Sequence, residues 1–236
     1  MANKKSDIDK WLSKLTPYQR KALENASKNF SDRDNFDINS IESIFGIESS
    51  FGSSEHIGVR GSDGPAGYFQ QKKNSAIRYG LIVTKKNDER FNLAKSAISA
   101  AKQIKDLDNL FSKRSNLGGG IFTSPVLNAF DRELIAVAAY NIGEGRIAKA
   151  QAIAIKNGED AGKWQNIVKY LKEAGANDFQ IEEVKKYIEK YLELKKEFAA
   201  KSELKNLKNK NIEDKASEGC HWITKHGDHI CIENKK

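Results

Sequence analysis

The 236 residues predict a mainly α-helical fold that ends in a short β-hairpin, and three observations carry the prediction. Apolar residues recur three and four apart at Ile38, Ile41, Ile44 and Phe45, and again at Phe91, Ala94, Ala97, Ile98, Ala101 and Ile104, the spacing of a helix with one buried face. From Asp131 to Tyr140 the chain is apolar nearly all round (Leu134, Ile135, Ala136, Val137, Ala138, Ala139), as a helix covered on every side would be. Only from Cys220 to Ile232 does the period fall to two, around His226-Gly227, which is a hairpin pattern. A hydrophobic content of 39% is enough to build one core of ordinary size.

Taken in order, residues 8–30 read as two short helices. Thr16-Pro17-Tyr18-Gln19 announces the second, with Thr at the N-cap, Pro at the first helical position and Gln three after the cap. Ser31 to Asn35 is a polar break. The helix that follows runs through Ile47-Glu48-Ser49 and breaks into Ser50-Phe51-Gly52-Ser53-Ser54, so Glu48 falls in a last helical turn. There it faces the negative end of the helix dipole, and Ile47 and Phe51 are placed to shield it from water. Both effects favour the protonated form near neutral pH. Gly64-Pro65-Ala66-Gly67-Tyr68-Phe69-Gln70 then supplies small residues for a close backbone approach, an aromatic pair and an amide, as one wall of a sugar cleft would.

Helices are expected next at about 74–83 and 88–106, followed by a loop from Ser115 to Gly120 whose triple glycine is a connector or a lid hinge. The buried helix around 131–140 delivers Tyr140-Asn141 to its exit, where Gly143 and Gly145 turn the chain. Asn141 there either holds a substrate or caps the helix end. From Asp178 to about Leu207 a charged helix carries a stripe of Phe179, Val184, Tyr187, Ile188, Tyr191, Leu192 and Leu194. Its first half is expected to pack on the domain and its second half to project or link.

Four ordered segments, Glu48-Ser49-x-Phe51, Gly64-x-x-Gly67-x-x-Gln70, Ala139-Tyr140-Asn141-x-Gly143 and Glu183-x-x-x-Tyr187, resemble the motifs of the soluble lytic transglycosylases. These belong to family 23 of the glycoside hydrolases, with goose-type lysozyme. The resemblance spans about two thirds of the chain. It departs at Tyr68-Phe69, where the family usually has Leu-Met, at Pro65, where Ala is common, and at Ile142, in the usual Ala slot. It implies a lysozyme-like α-helical catalytic domain acting on peptidoglycan glycan strands. In that domain Glu48 is catalytic, Ser49 orients it, Gln70, Tyr140 and Asn141 hold the sugar, and Glu183 and Tyr187 border the cleft. The expected organisation is a helical extension over 1–35, the catalytic domain over 36–195, a charged helical linker over 196–218 and the hairpin tail over 219–236.

Cleaving a β-1,4 glycosidic bond needs an acid for the leaving oxygen and a group that quenches the oxocarbenium-like centre. The resemblance implies that one carboxylate does both: ionised Glu48 takes the proton of the sugar's own 6-hydroxyl and a 1,6-anhydro ring closes, with neither metal nor cofactor. A goose-type hydrolase would use a second carboxylate to engage water, and Glu55 and Asp63 are the candidates in the right segment; Asp63 also reads as a turn residue in Ser62-Asp63-Gly64. A non-catalytic glycan-binding or virion structural module would be expected to have lost the Glu48 position. No phosphate loop, Ser/His/Asp set or nucleotide fold competes.

A formal charge of +8 suggests an anionic partner. Most of the excess lies at the two ends, and the nearly balanced middle argues against a nucleic-acid groove. Neither a signal-peptide core nor a transmembrane stretch is legible, so action on the periplasmic cell wall implies either a leader outside the given sequence or delivery as a virion component, through a lysis system or by a secretion apparatus. The tail resembles short Trp-Ile-Thr…Gly…His-Ile hairpins of some phage virion proteins and is expected to attach to virion or secretion proteins. Its Cys220 and Cys231 could form a disulfide, stay free or join the tail histidines at a metal. A four-residue turn would set the cysteines opposite each other, whereas a two-residue turn leaves them diagonal, roughly 7–8 Å apart.

Overall fold

A computed structural model of the chain describes residues 9–10, 16–33, 35–53, 57–217, 220–225 and 228–233, with side chains as far as Leu204. The fold is mainly α-helical and lysozyme-like, and it divides into two compact units, Met1–Lys195 and Lys196–Lys236.

Helix α1 (Pro17–Ser27) begins as its sequence requires: Thr16 accepts from the Gln19 N–H, Gln19 reaches back to the Thr16 N–H, and Pro17 occupies the first turn. Ala22, Leu23 and Ala26 form its buried face. Helix α2 (Ile38–Ser49) carries a second reciprocal cap, made by Asp37 and Ser40. It is more deeply buried, with Ile41, Ile44 and Phe45 fully covered, and ends where Ser50 and Phe51 enter the left-handed region at φ 48° and 60°.

Helix α3 (Lys73–Arg78) is shorter than the expected 74–83. Gly80, at φ 93°, turns the chain so that Leu81 and Val83 fold back onto Ala76, and a bridge between Val83 and Asp88 closes the turn. After a 3-10 turn at Glu89–Phe91, α4 (Leu93–Phe111) starts at an Asn92 cap and runs a turn beyond expectation. It is the axis of the unit, packing against α1 on one side and α5 (Ala129–Ile142) on the other. The glycine stretch is not an irregular connector: β1 (Asn116–Gly118) and β2 (Ile121–Phe122) pair antiparallel across Gly118, Gly119 and Gly120, all at positive φ. α5 is buried from Glu133 to Ala139, and Gly143 (φ 97°) closes it. Gly145 makes no turn, because it lies inside the next helix, α6 (Glu144–Lys156). A short α7 (Trp164–Ile167) follows.

The long helix α8 (Asp178–Ser217) begins in the first unit and ends in the second. Val184, Tyr187, Ile188, Tyr191 and Leu194 are buried as the stripe requires, but Phe179 is 71% exposed. Two polar links fix the first half. Tyr191 donates to Glu133 of α5 at 2.7 Å, and Lys195 bridges Glu133 and the Asn35 carbonyl. In the second unit β3 (Cys220–Lys225) pairs antiparallel with β4 (Asp228–Glu233), Lys225 opposite Asp228. The connection is therefore two residues long, and Cys231 stands opposite Trp222 with Cys220 diagonal to it. The cysteine side chains lie outside the described residues, as does Glu55. No described helix is long and apolar enough to cross a membrane.

Candidate active site

Helix α2 carries Glu48 to a cavity of about 380 Å³ that Gln70, Tyr140 and Asn141 also line. Helical geometry ends one residue later, and the left-handed pair Ser50-Phe51 turns the chain away so that the carboxyl stands at the helix exit. The turn is set by a close approach: a Cβ on Gly46 would lie 2.4 Å from the Phe51 ring, so the ring packs on bare helix backbone. Phe45, on the next face, meets Phe51, Tyr68 and Phe69 with ring centres 6.2, 6.1 and 5.7 Å away. This cluster ties the Glu48 helix to the Gly64–Gln70 loop.

Protein packs closely around Glu48. Desolvation pushes its carboxyl up to about 7, against the opposing pull of a hydrogen bond from Tyr187, whose hydroxyl donates to Glu48 Oε1 at 2.6 Å. Tyr187 is buried behind the carboxyl, and burial, then the Glu48 charge, holds its phenol well above the usual tyrosine range. It is a permanent donor at neutral pH. Tyr140 donates to the Phe69 carbonyl at 2.7 Å, which ties the end of α5 to the loop, and its phenol is raised in the same way. Gln70 sits at φ 44°, an unusual value for a non-glycine residue, with its amide donating to the Gly67 carbonyl at 2.8 Å. Asn141 lies within the last turn of α5, exposed towards the cavity, while Gly143 caps that helix. Gly143 rather than Asn141 is the capping residue, and Asn141 lines the cavity.

Three expected placements come out differently. The Ser49 hydroxyl does not hydrogen-bond the Glu48 carboxyl: it is fully buried, donates to the Phe45 carbonyl and accepts from the Gly52 N–H, each at 3.0 Å, so it closes the helix end. Glu183 is exposed one turn before Tyr187 and does not line the cavity. Asp63 is not in the cavity wall either; its carboxylate, 90% exposed, pairs with Lys73 at 3.0 Å. A carboxylate the sequence reading passed over, Glu144, does line the cavity, together with Gln71, Lys72, Ser75 and Gln103. Its signal was position, immediately after Ala139–Gly143. Gln103, on the face of a long helix, offered none.

The profile of the transglycosylase SLT domain matches residues 25–162. The chain belongs to that family. No curated protein matches it. The SLT match covers Glu48, Gln70, Tyr140 and Asn141 and stops short of α8, so Tyr187 reaches the Glu48 carboxyl from outside the matched segment. SLT domains are peptidoglycan lytic transglycosylases, and the cell wall is their place of action.

Proposed function

We propose that this SLT protein cleaves the MurNAc-β-1,4-GlcNAc bond with Glu48 working alone, and that the product ends in 1,6-anhydro-MurNAc. Protonated Glu48 gives its proton to the leaving 4-oxygen of GlcNAc as the bond to muramyl C1 breaks. The resulting carboxylate then takes the proton of the muramyl 6-hydroxyl while that oxygen bonds to C1. The proton count closes, and no water is consumed. The observation that carries this reading is one raised carboxyl at the cavity, held by a tyrosine that is always a donor. A carboxyl poised near 7 can give a proton and take one back at neutral pH. Gln70, Tyr140 and Asn141 are the groups that would fix the sugar, since general acid–base catalysis alone supplies only about 10²–10⁴ in rate.

Hydrolysis by water remains the second reading. The exposed Asp63–Lys73 pair removes the support for Asp63, while Glu144 in the cavity wall supplies another carboxylate. Mass spectrometry of one peptidoglycan digest separates the two. Anhydro-ended muropeptides, lighter by one water, support the lyase; reducing ends that vanish in Glu144→Gln support the hydrolase, and no cleavage at all supports a binding module. Delivery by a virion, lysis system or secretion apparatus, with the β3–β4 hairpin as the attachment element, belongs to the same proposal. It rests on the small, separate compact unit that holds the hairpin.

A further inference from the structure

We infer that Arg90, with Asp88, is a positioning residue that holds Gln70 in its left-handed conformation at the cavity, an inference that rests on the transglycosylase reading. Arg90 lies at the 3-10 turn before α4 and is completely buried. Its guanidinium sits inside the loop that carries Gln70. Nε and one terminal nitrogen donate to the two Asp88 oxygens at 3.0 and 2.7 Å, a bidentate pair. The remaining donors go to main-chain carbonyls: Ser62 at 2.8 Å, Gly64 at 2.8 Å and Gln71 at 3.1 Å. These carbonyls flank Gln70 on both sides. The Arg90 main chain adds a third hold, since its carbonyl accepts from the Tyr68 N–H at 3.2 Å. The fit admits no side chain at Gly67, where a Cβ would lie 2.0 Å from the Arg90 carbonyl oxygen. Asp88 also accepts from the Gly61 N–H at 2.7 Å, so the pair anchors the loop from Gly61 to Gln71.

The physical need for this anchor is the conformation of Gln70. A non-glycine residue at positive φ persists only where its surroundings over-determine it, and a buried guanidinium with every donor committed does so on both flanks. Lysine could keep the charge opposite Asp88 but, as a point donor on a flexible stem, could not serve three diverging carbonyls. The expected consequence of Arg90→Lys is a folded protein whose Gln70 relaxes away from the sugar. A displacement of about 1 Å at such a group is worth about 10² in rate.

The test is a double-mutant cycle on muropeptide release, with thermal unfolding measured alongside: wild type, Arg90→Lys, Gln70→Ala and both together. If Arg90 acts through Gln70, Arg90→Lys costs about 10²-fold in kcat/KM in the wild type and has little further effect once Gln70 is alanine. An equal cost in both backgrounds, or no cost at all, overturns the proposal, because a merely structural loss does not depend on Gln70. If Arg90→Lys fails to fold, Asp88→Asn runs the same cycle; failure of both variants to fold makes the pair a folding requirement and also overturns it. Should the wild type release nothing, the transglycosylase reading itself fails, and the cycle is read instead in the dissociation constant for purified glycan strands, with the same two outcomes.

Discussion

At the scale of single residues the site turns on how far a carboxyl can be kept protonated. With Glu48 held near 7, the acid is in its working form below that value, so kcat/KM is expected to fall as pH rises through about 7. Tyr187 opposes the shift by donating to the carboxylate. Tyr187→Phe is therefore expected to move the alkaline limb to higher pH, and a pH–rate profile with the limb unmoved or lowered would contradict the assigned hydrogen bond. Glu48→Gln is expected to abolish turbidity loss of purified peptidoglycan while leaving the fold intact; substantial residual turnover would remove Glu48 from the centre of the chemistry. The same shift has a sign in stability. Glu48, and likewise the buried Glu42, whose carboxyl is also pushed up to about 7 by desolvation, bind a proton more tightly folded than unfolded. Their contribution is present in full below the ordinary carboxyl range and is lost as pH rises through about 7. Glu48→Gln is expected to remove its share of that loss, on the order of 3 kcal/mol, seen as a flatter dependence of thermal stability between the ordinary carboxyl value of 4.5 and about 7.

At the scale of elements the cavity depends on backbones that approach one another without side chains between them. Gly46 receives the Phe51 ring and Gly67 receives the Arg90 carbonyl. Gly67→Ala combines a forced Cβ at 2.0 Å with a φ of 77°, and is expected to lower the melting temperature strongly along with activity. Gly46→Ala meets an aromatic ring that can shift, and a milder loss of about 1–3 kcal/mol is expected from crowding of this kind. An unchanged melting temperature in Gly67→Ala would mean that the loop seats elsewhere. Elements with a strong local signal formed where the sequence put them. The Thr16 capping box starts α1, the three-and-four spacing gives α2, and the all-apolar run gives a buried α5. Elements decided by contacts between segments did not. Leu81 and Val83 read as part of a helix but fold back onto Ala76, and Gly118–Gly120 reads as a connector but turns a hairpin. In both, glycine permits several conformations and only the packing partner selects one.

For the whole molecule, the groups around Glu48 lie in the first compact unit and the hairpin in the second. Removal of residues 208–236 is expected to leave cleavage of soluble muropeptides roughly unchanged; loss of activity in a still-folded truncation would show that the catalytic body extends further. Titration of free thiols in the unreduced protein, with a chelator as control, decides the state of Cys220 and Cys231. The diagonal register makes two titratable thiols the expected result.

Sequence alone determined the helical class, the exit of Glu48 from its helix and the family motifs, because capping, hydrophobic period and glycine punctuation act over a few residues and are written where they operate. The tertiary structure alone decided which polar groups meet. It gave Asp63 to a surface pair with Lys73, Glu144 to the cavity and Tyr187 to the back of the Glu48 carboxyl. Glu48 and Tyr187 are 139 residues apart, and no local rule acts over that distance. The Tyr191–Glu133–Lys195 link, one turn further along, ties α8 to α5, because buried Tyr191 and Glu133 each require a polar partner.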